Sequence, residues 1–116
     1  MSTSNFIITE HVIPCSHLRQ YPRATLNRDD DQLLMVVKQY TPRDNPNPQK
    51  GDVTIIAAHA NGFTKEMYEP LWDDFLACSK KSGAFRIRSI WIADVAGQGA
   101  SGVLNEKILG NEREFA

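Results

Sequence analysis

Residues 94–102, "DVAGQGASG", can be read in two registers, and the choice between them decides the fold. Counted from Gly97, the glycines at 97, 99 and 102 have the Gly-x-Gly-x-x-Gly spacing of a dinucleotide-binding loop. There the first glycine closes a tight turn after a strand, the second lets the backbone approach a pyrophosphate, and the third lets a helix pack on the sheet. Counted from Asp94, the same stretch is Asp94-x-x-Gly97-x-Gly99-x-Ser101, which uses an acid and a hydroxyl as well. Physically, Asp and Ser side chains satisfy loop amides locally while glycines take turns closed to other residues.

The flanking sequence supplies the context. Residues 6–13, "FIITEHVI", and 33–40, "LLMVVKQY", are β-branched or apolar runs that read as strands, joined by a long polar connection with an acidic tip at Asp29-Asp30-Asp31. "TPRDNPNPQKGD" forbids regular structure and leads into "VTIIAA", residues 53–58, apolar nearly throughout. Such a run is expected to be buried on both faces, as in a parallel sheet covered by helices. In residues 65–83 the side chains Tyr68, Leu71, Trp72, Phe75, Leu76 and Ser79 fall at helical spacing, with Trp72 and Phe75 in the core stripe. Pro70 belongs in the first turn of that helix, so it should start near Tyr68 or Glu69. Lys80 and Lys81 suit its C-terminus and Gly83 its cap. Residues 85–93, "FRIRSIWIA", form a fourth strand. The order β, β, β, α, β predicts an α/β fold in a single domain.

Composition narrows the function. The chain has 116 residues, 41% of them hydrophobic and 23% charged, and a net charge of −1 with no long basic run, so nucleic acid is not an expected partner. No apolar run approaches the roughly 20 residues of a membrane helix. The N-terminus lacks the basic and apolar regions of a secretory signal, and a soluble intracellular protein is expected. Cys15 and Cys78 are too few for a disulfide framework. Cys15 does lie between His11 and His17, a potential zinc grouping, but a fourth ligand and a rigid turn are missing; neither metal nor cofactor is expected.

The dinucleotide register fits this context poorly. Asp94-Val95-Ala96 separates the strand from Gly97, Gly110 breaks the segment after Gly102, and the chain stops before the acidic ribose partner that should follow about 20 positions on. The other register resembles the D-x-x-G-x-G-x-S loop after the fourth strand of α/β-hydrolases. The third strand ends in "HANGF", residues 59–63, where that family carries its oxyanion motif between strand and helix. Together the two motifs make the chain similar to the N-terminal part of an α/β-hydrolase: β1-β2-β3-αA-β4 and the following loop. A dinucleotide-binding oxidoreductase, or a non-catalytic truncated copy, is the alternative. "HANGFTKEMYEPLWDDF" with "WIADVAGQGASG" resembles the hydrolases of fungal host-selective toxin clusters of the AK-, AF- and ACT-toxin type, which serve secondary metabolism and are associated with peroxisomes.

The resemblance implies ester or thioester hydrolysis of a small acyl substrate by a serine-type enzyme. It places an oxyanion donor in the loop of His59, Asn61, Gly62 and Phe63, with the N-H of Asn61 first and Gly62 or Phe63 as alternatives. His59 is then a structural residue, because the catalytic His comes last in the family's order. Asp94, Gly97, Gly99 and Ser101 become loop-ordering positions. Ala60 departs from a common family glycine, a freedom that Gly62 supplies two residues later. The larger departure is that residues 1–116 hold no G-x-S-x-G elbow, so no catalytic residue is assigned in this chain. The span is expected to be a partial domain, inactive alone. The C-terminus Glu114-Phe115-Ala116 carries no Ser-Lys-Leu type peroxisomal address, which leaves a cytoplasmic location as the alternative. In the family sheet, order 1-2-4-3-5, the third strand needs a fifth beside it. Here its edge should lie open to self-association, with Ile55, Ile56 and Trp91 exposed.

Overall fold

The computed structural model describes residues 2–15, 33–95 and 99–106. The acidic tip Asp29-Asp30-Asp31, His17, Gly97 and Gly110 lie outside the described residues. A short helical turn α1 (Ser2–Asn5) leads into β1 (Phe6–Pro14), followed by β2 (Leu34–Pro42), β3 (Val53–Ala58), a 3₁₀ helix (Lys65–Tyr68), α2 (Glu69–Ser82), β4 (Ile87–Ala93) and α3 (Gly99–Asn105). The strands make one sheet in the order β1-β2-β4-β3. β1 and β4 are both antiparallel to β2, whereas β3 and β4, joined through α2, are parallel.

Strand pleating sorts the side chains into two faces. Ile8, Tyr40, Ile90 and Ile55 stand in one cross-strand row, and Thr9, Gln39, Trp91 and Ile56 in the next, which points the other way. The first row lies on the core side. There Phe6, Tyr40, Ile87, Ile90 and Ile92 meet Trp72 and Leu76 of α2, with Ile8, Ile55, Ala57, Tyr68 and Phe85 packed at the margin. α2 starts at Glu69 with Pro70 in its first turn, where a missing N-H costs nothing. It ends at Gly83, whose φ of +66° is the left-handed cap conformation that favours glycine.

The sequence expectations need five corrections. β3 is not buried on both faces: Ile55 and Ala57 are half-buried against the core, while Ile56 on the opposite face is 85% exposed. The reason is position, because among the described residues β3 has a strand on one side only and no helix covers its outer face. Trp91 is half-buried, so only Ile56 of the three residues expected to be exposed is fully so. In α2 the buried stripe is the narrower set Trp72, Leu76 and Ser79; Phe75 is 38% exposed on its flank, not core. Finally, β4 begins at Ile87, since Phe85 and Arg86 still belong to the turn, and β2 runs on to Pro42, held by pairing with Phe6.

Candidate functional site

Two loops leave the carboxyl ends of the parallel strands β3 and β4 side by side, the usual place for a site in an α/β sheet. The first, residues 59–64, is tied down at both ends. His59 Nδ1 lies 2.8 Å from the Ala60 carbonyl, and its Nε2 lies 3.1 Å from the Val95 amide nitrogen. An amide N-H can only donate, so Nε2 accepts and Nδ1 carries the proton: both bonds are satisfied by the neutral Nδ1-H tautomer. His59 thus links β3's loop to β4's. The Ala60 N-H donates to the Tyr68 hydroxyl at 2.7 Å, and the Phe63 N-H closes a turn on the Ala60 carbonyl at 3.0 Å. Gly62, at φ +85°, takes the third position of that turn, where a type II geometry demands a positive φ. Asn61, Gly62 and Phe63 form its exposed rim.

The second loop is organised by Asp94, which is fully buried. Its Oδ1 accepts the backbone N-H of Lys65 at 2.9 Å. Its Oδ2 accepts the Lys65 ammonium at 2.7 Å and the Ala100 N-H at 3.2 Å. The main chain of Asp94 is also engaged: its N-H donates to the Val36 carbonyl at 3.2 Å, and its carbonyl accepts the Ser101 hydroxyl at 2.8 Å. Ser101 Oγ in turn accepts the Val36 N-H at 2.9 Å. Gly99, at φ +55°, lies directly against the Asp94 carboxylate. Gly97 falls outside the described residues.

Lys65 and Asn105 were missed by sequence reasoning. Lys65 sits in a polar stretch and looks like a surface residue, yet it is fully buried between Asp94 and Glu66, with Nζ 2.9 Å from the latter. The available signal was the need of a buried Asp for a cation. Burial alone would push the Lys65 ammonium's pKa down, but its bonds to Asp94 and Glu66 outweigh that and hold it above the ordinary value. A ladder of charges continues outward: Lys38 lies 3.0 Å from Glu66 and 3.6 Å from Glu69, and Glu69 accepts the Tyr40 hydroxyl at 2.7 Å. Asn105 docks α3 on β2, its Oδ1 accepting the Leu34 N-H at 2.8 Å and its Nδ2 donating to the Leu34 and Ser101 carbonyls.

Among the described residues, no group of three or more His, Cys, Asp or Glu is placed to hold a metal ion. His11 bonds Gln39 at 3.0 Å and stacks on Trp91, and Cys15 and Cys78 are thiols, not joined in a disulfide. No described helix is long and apolar enough to cross a membrane.

The sheet order, the crossover through α2 and the two adjoining loops define the class: this is the architecture of the N-terminal part of an α/β-hydrolase. A solved structure of the peroxisomal alpha-beta-hydrolase Lpx1 from Saccharomyces cerevisiae superposes with a TM-score of 0.69 at 20% identity, covering 91% of this chain and 28% of that one. In sequence, the chain is 50% identical over 107 residues to the type I acyl-CoA thioesterase mpaH' of Penicillium brevicompactum. It is 44% identical over 106 residues to the type I acyl-CoA thioesterase mpaH of Penicillium roqueforti. Each alignment takes in 91% of this chain, which spans about a quarter (24%) of the length of those relatives. No protein-family model matches it.

Proposed function

We propose that residues 1–116 are the N-terminal part of an α/β-hydrolase domain that hydrolyses acyl-CoA thioesters in fungal secondary metabolism, and that their share of the site is the oxyanion loop. The observation that carries this is the double tether of residues 59–65, through Lys65 to Asp94 and through His59 to Val95, which fixes an exposed turn at the carboxyl end of β3. Attack on a thioester carbonyl puts negative charge on its oxygen, and backbone N-H groups already fixed in place stabilise that charge without reorganising. Asn61 supplies the first donor and Gly62 the next. The Phe63 N-H closes the turn on the Ala60 carbonyl. His59, whose nitrogens both hold the loop, is a positioning residue. The Penicillium thioesterases support the substrate class. The nucleophile must come from outside these residues, which contain no G-x-S-x-G.

The dinucleotide reading loses support for a specific reason. In such a site the pyrophosphate lies at the helix N-terminus. Here the Asp94 carboxylate already takes the Ala100 N-H at the start of α3, so that donor is not open to a pyrophosphate.

The test joins residues 1–116 to the part of the P. brevicompactum thioesterase that follows its matching segment and measures thiol release from a medium-chain acyl-CoA. Turnover by the fusion, and none by residues 1–116 alone, is the expected result. A folded but inactive fusion would count against the reading. The finer assignment, to a host-selective toxin pathway and the peroxisome, rests on the wording of residues 59–75 and 91–102 and is tested by locating a fluorescent fusion of the gene product in fungal cells.

A further inference from the structure

We infer that Lys65 is a positioning residue for the oxyanion loop, acting through its two-point attachment to Asp94. This rests on the proposed function for the loop's purpose but not for its geometry. A buried ion pair stabilises a fold little, because desolvation consumes most of the Coulombic gain; in some proteins what such a pair supplies instead is a fixed arrangement. Lys65 and Asp94 are both buried completely, and the contact is a chelate: backbone N-H to Oδ1 at 2.9 Å, ammonium to Oδ2 at 2.7 Å. One bond would leave residue 65 free to pivot, whereas two to the same carboxylate set its orientation relative to the end of β4. The opposite end of the loop is held to the very next residue, through His59 and Val95. Residues 60–64 therefore span two anchors on consecutive residues, Asp94 and Val95, just past the end of β4. Glu66 holds the ammonium from its other side, and Lys38 holds Glu66, so rotation of the lysine away from Asp94 is opposed.

Amide hydrogen exchange on the 116-residue chain tests this, comparing Lys65→Met, Lys65→Arg and Asp94→Asn with the parent. Loss of the anchor is expected to speed exchange in residues 60–64 and at Val95 by about tenfold or more, with the β1–β2 amides unchanged, because local opening is distinct from global unfolding. Lys65→Arg, which keeps the charge, should recover most of the protection. Equal acceleration everywhere, or none in the loop, would overturn the inference. If Lys65→Met does not fold, Asp94→Asn decides, since it keeps an acceptor for the Lys65 N-H and removes the charge: loop-selective acceleration supports the inference and a uniform change refutes it. In the thioesterase fusion, Lys65→Met should lower kcat with KM nearly unchanged, as expected for an interaction made in the transition state. A fusion inactive with Lys65 intact speaks against the thioesterase reading, while the exchange result decides the positioning role.

Discussion

Gly99 lies so close to Asp94 that a Cβ built on it would stand 2.7 Å from the carboxylate carbon and closer still to Oδ2. The neighbour cannot yield, because that carboxylate is held by Lys65 and Ala100. Gly99→Ala therefore combines a steric clash with the cost of a left-handed backbone, about 1–2 kcal/mol for a residue with a Cβ. Gly62, with φ +85° and nothing within 4 Å of the place a methyl would occupy, incurs the backbone cost alone. In urea melts Gly99→Ala should be the more damaging of the two. Equal losses would show that the Asp94 loop adapts.

How much of this was legible in the sequence follows from what each residue depends on. The strands and α2 announce themselves because β-branched runs, Pro70 and Gly83 act locally. The D-x-x-G-x-G-x-S spacing singled out Asp94 and Ser101, but not that Ser101 bonds the Asp94 carbonyl and the Val36 N-H, since the latter partner lies on a distant strand. The burial of Lys65 was not, since its partner is 29 positions away and nothing in "TKEM" distinguishes a buried lysine from a solvated one. Phe75 misleads for a related reason. Helical spacing fixes which side chains share a face of α2, but the sheet contacts only a strip of that face, and Trp72, Leu76 and Ser79 occupy it.

Stability should fall at both ends of the pH scale, for different residues. Burial, then Glu69, pushes the Tyr40 phenol well above its ordinary 10.0, and the partners of Lys65 hold its ammonium above 10.5. Unfolding releases both protons at those ordinary values, so this stability is complete below pH 10 and drains away above it. At the acid end, burial would raise Glu66, but Lys65 and Lys38 hold it below 4.5; the Asn45 amide, then the Gln49 N-H, hold Asp52 below 3.8. Their contribution is present above those values and lost as pH falls through the lower folded ones. Tyr40→Phe should flatten the alkaline fall and Lys38→Met the acid one, read as the denaturant midpoint against pH.

α3 completes a sheet edge with side chains. β4 pairs with β2 only from Val37 to Tyr40, and beyond that point Ser101 and Asn105, one helical turn apart, meet the backbone at Val36 and Leu34. Asn105→Leu leaves a part-buried N-H and a carbonyl without those partners, a loss of about 1–3 kcal/mol. Ser101→Ala should cost a similar amount, and the double variant less than the sum, because both residues act through one docked helix. Additive losses in chemical denaturation would mean that the two contacts hold independently.

The edge of β3 makes the strongest claim on solution behaviour. Its six residues, "VTIIAA", pair with β4 on one side, and among the described residues no strand lies on the other. The edge carries no charge or proline, the usual protections against pairing with another chain. Beside it an open apolar groove of about 310 Å³, lined by Ile13, Met35, Val37, Ile56, Trp91 and Ala93 among others, runs across the uncovered face. Two copies joined antiparallel about a two-fold axis must set one residue opposite itself, and an axis at Ile56 would bring the two grooves onto the same side. Ile56→Lys would then place two ammonium groups at the axis while disturbing little of the core, since Ile56 is already 85% exposed. Ile55→Lys is the contrasting control, because it drives an amine into the packed face beside Ile90. In sedimentation, the parent chain is expected to associate and Ile56→Lys to shift it towards monomer with its melting temperature preserved; Ile55→Lys should lower the melting temperature instead. A parent chain that is monomeric and melts in one sharp transition would show that this edge is closed in solution by some other means.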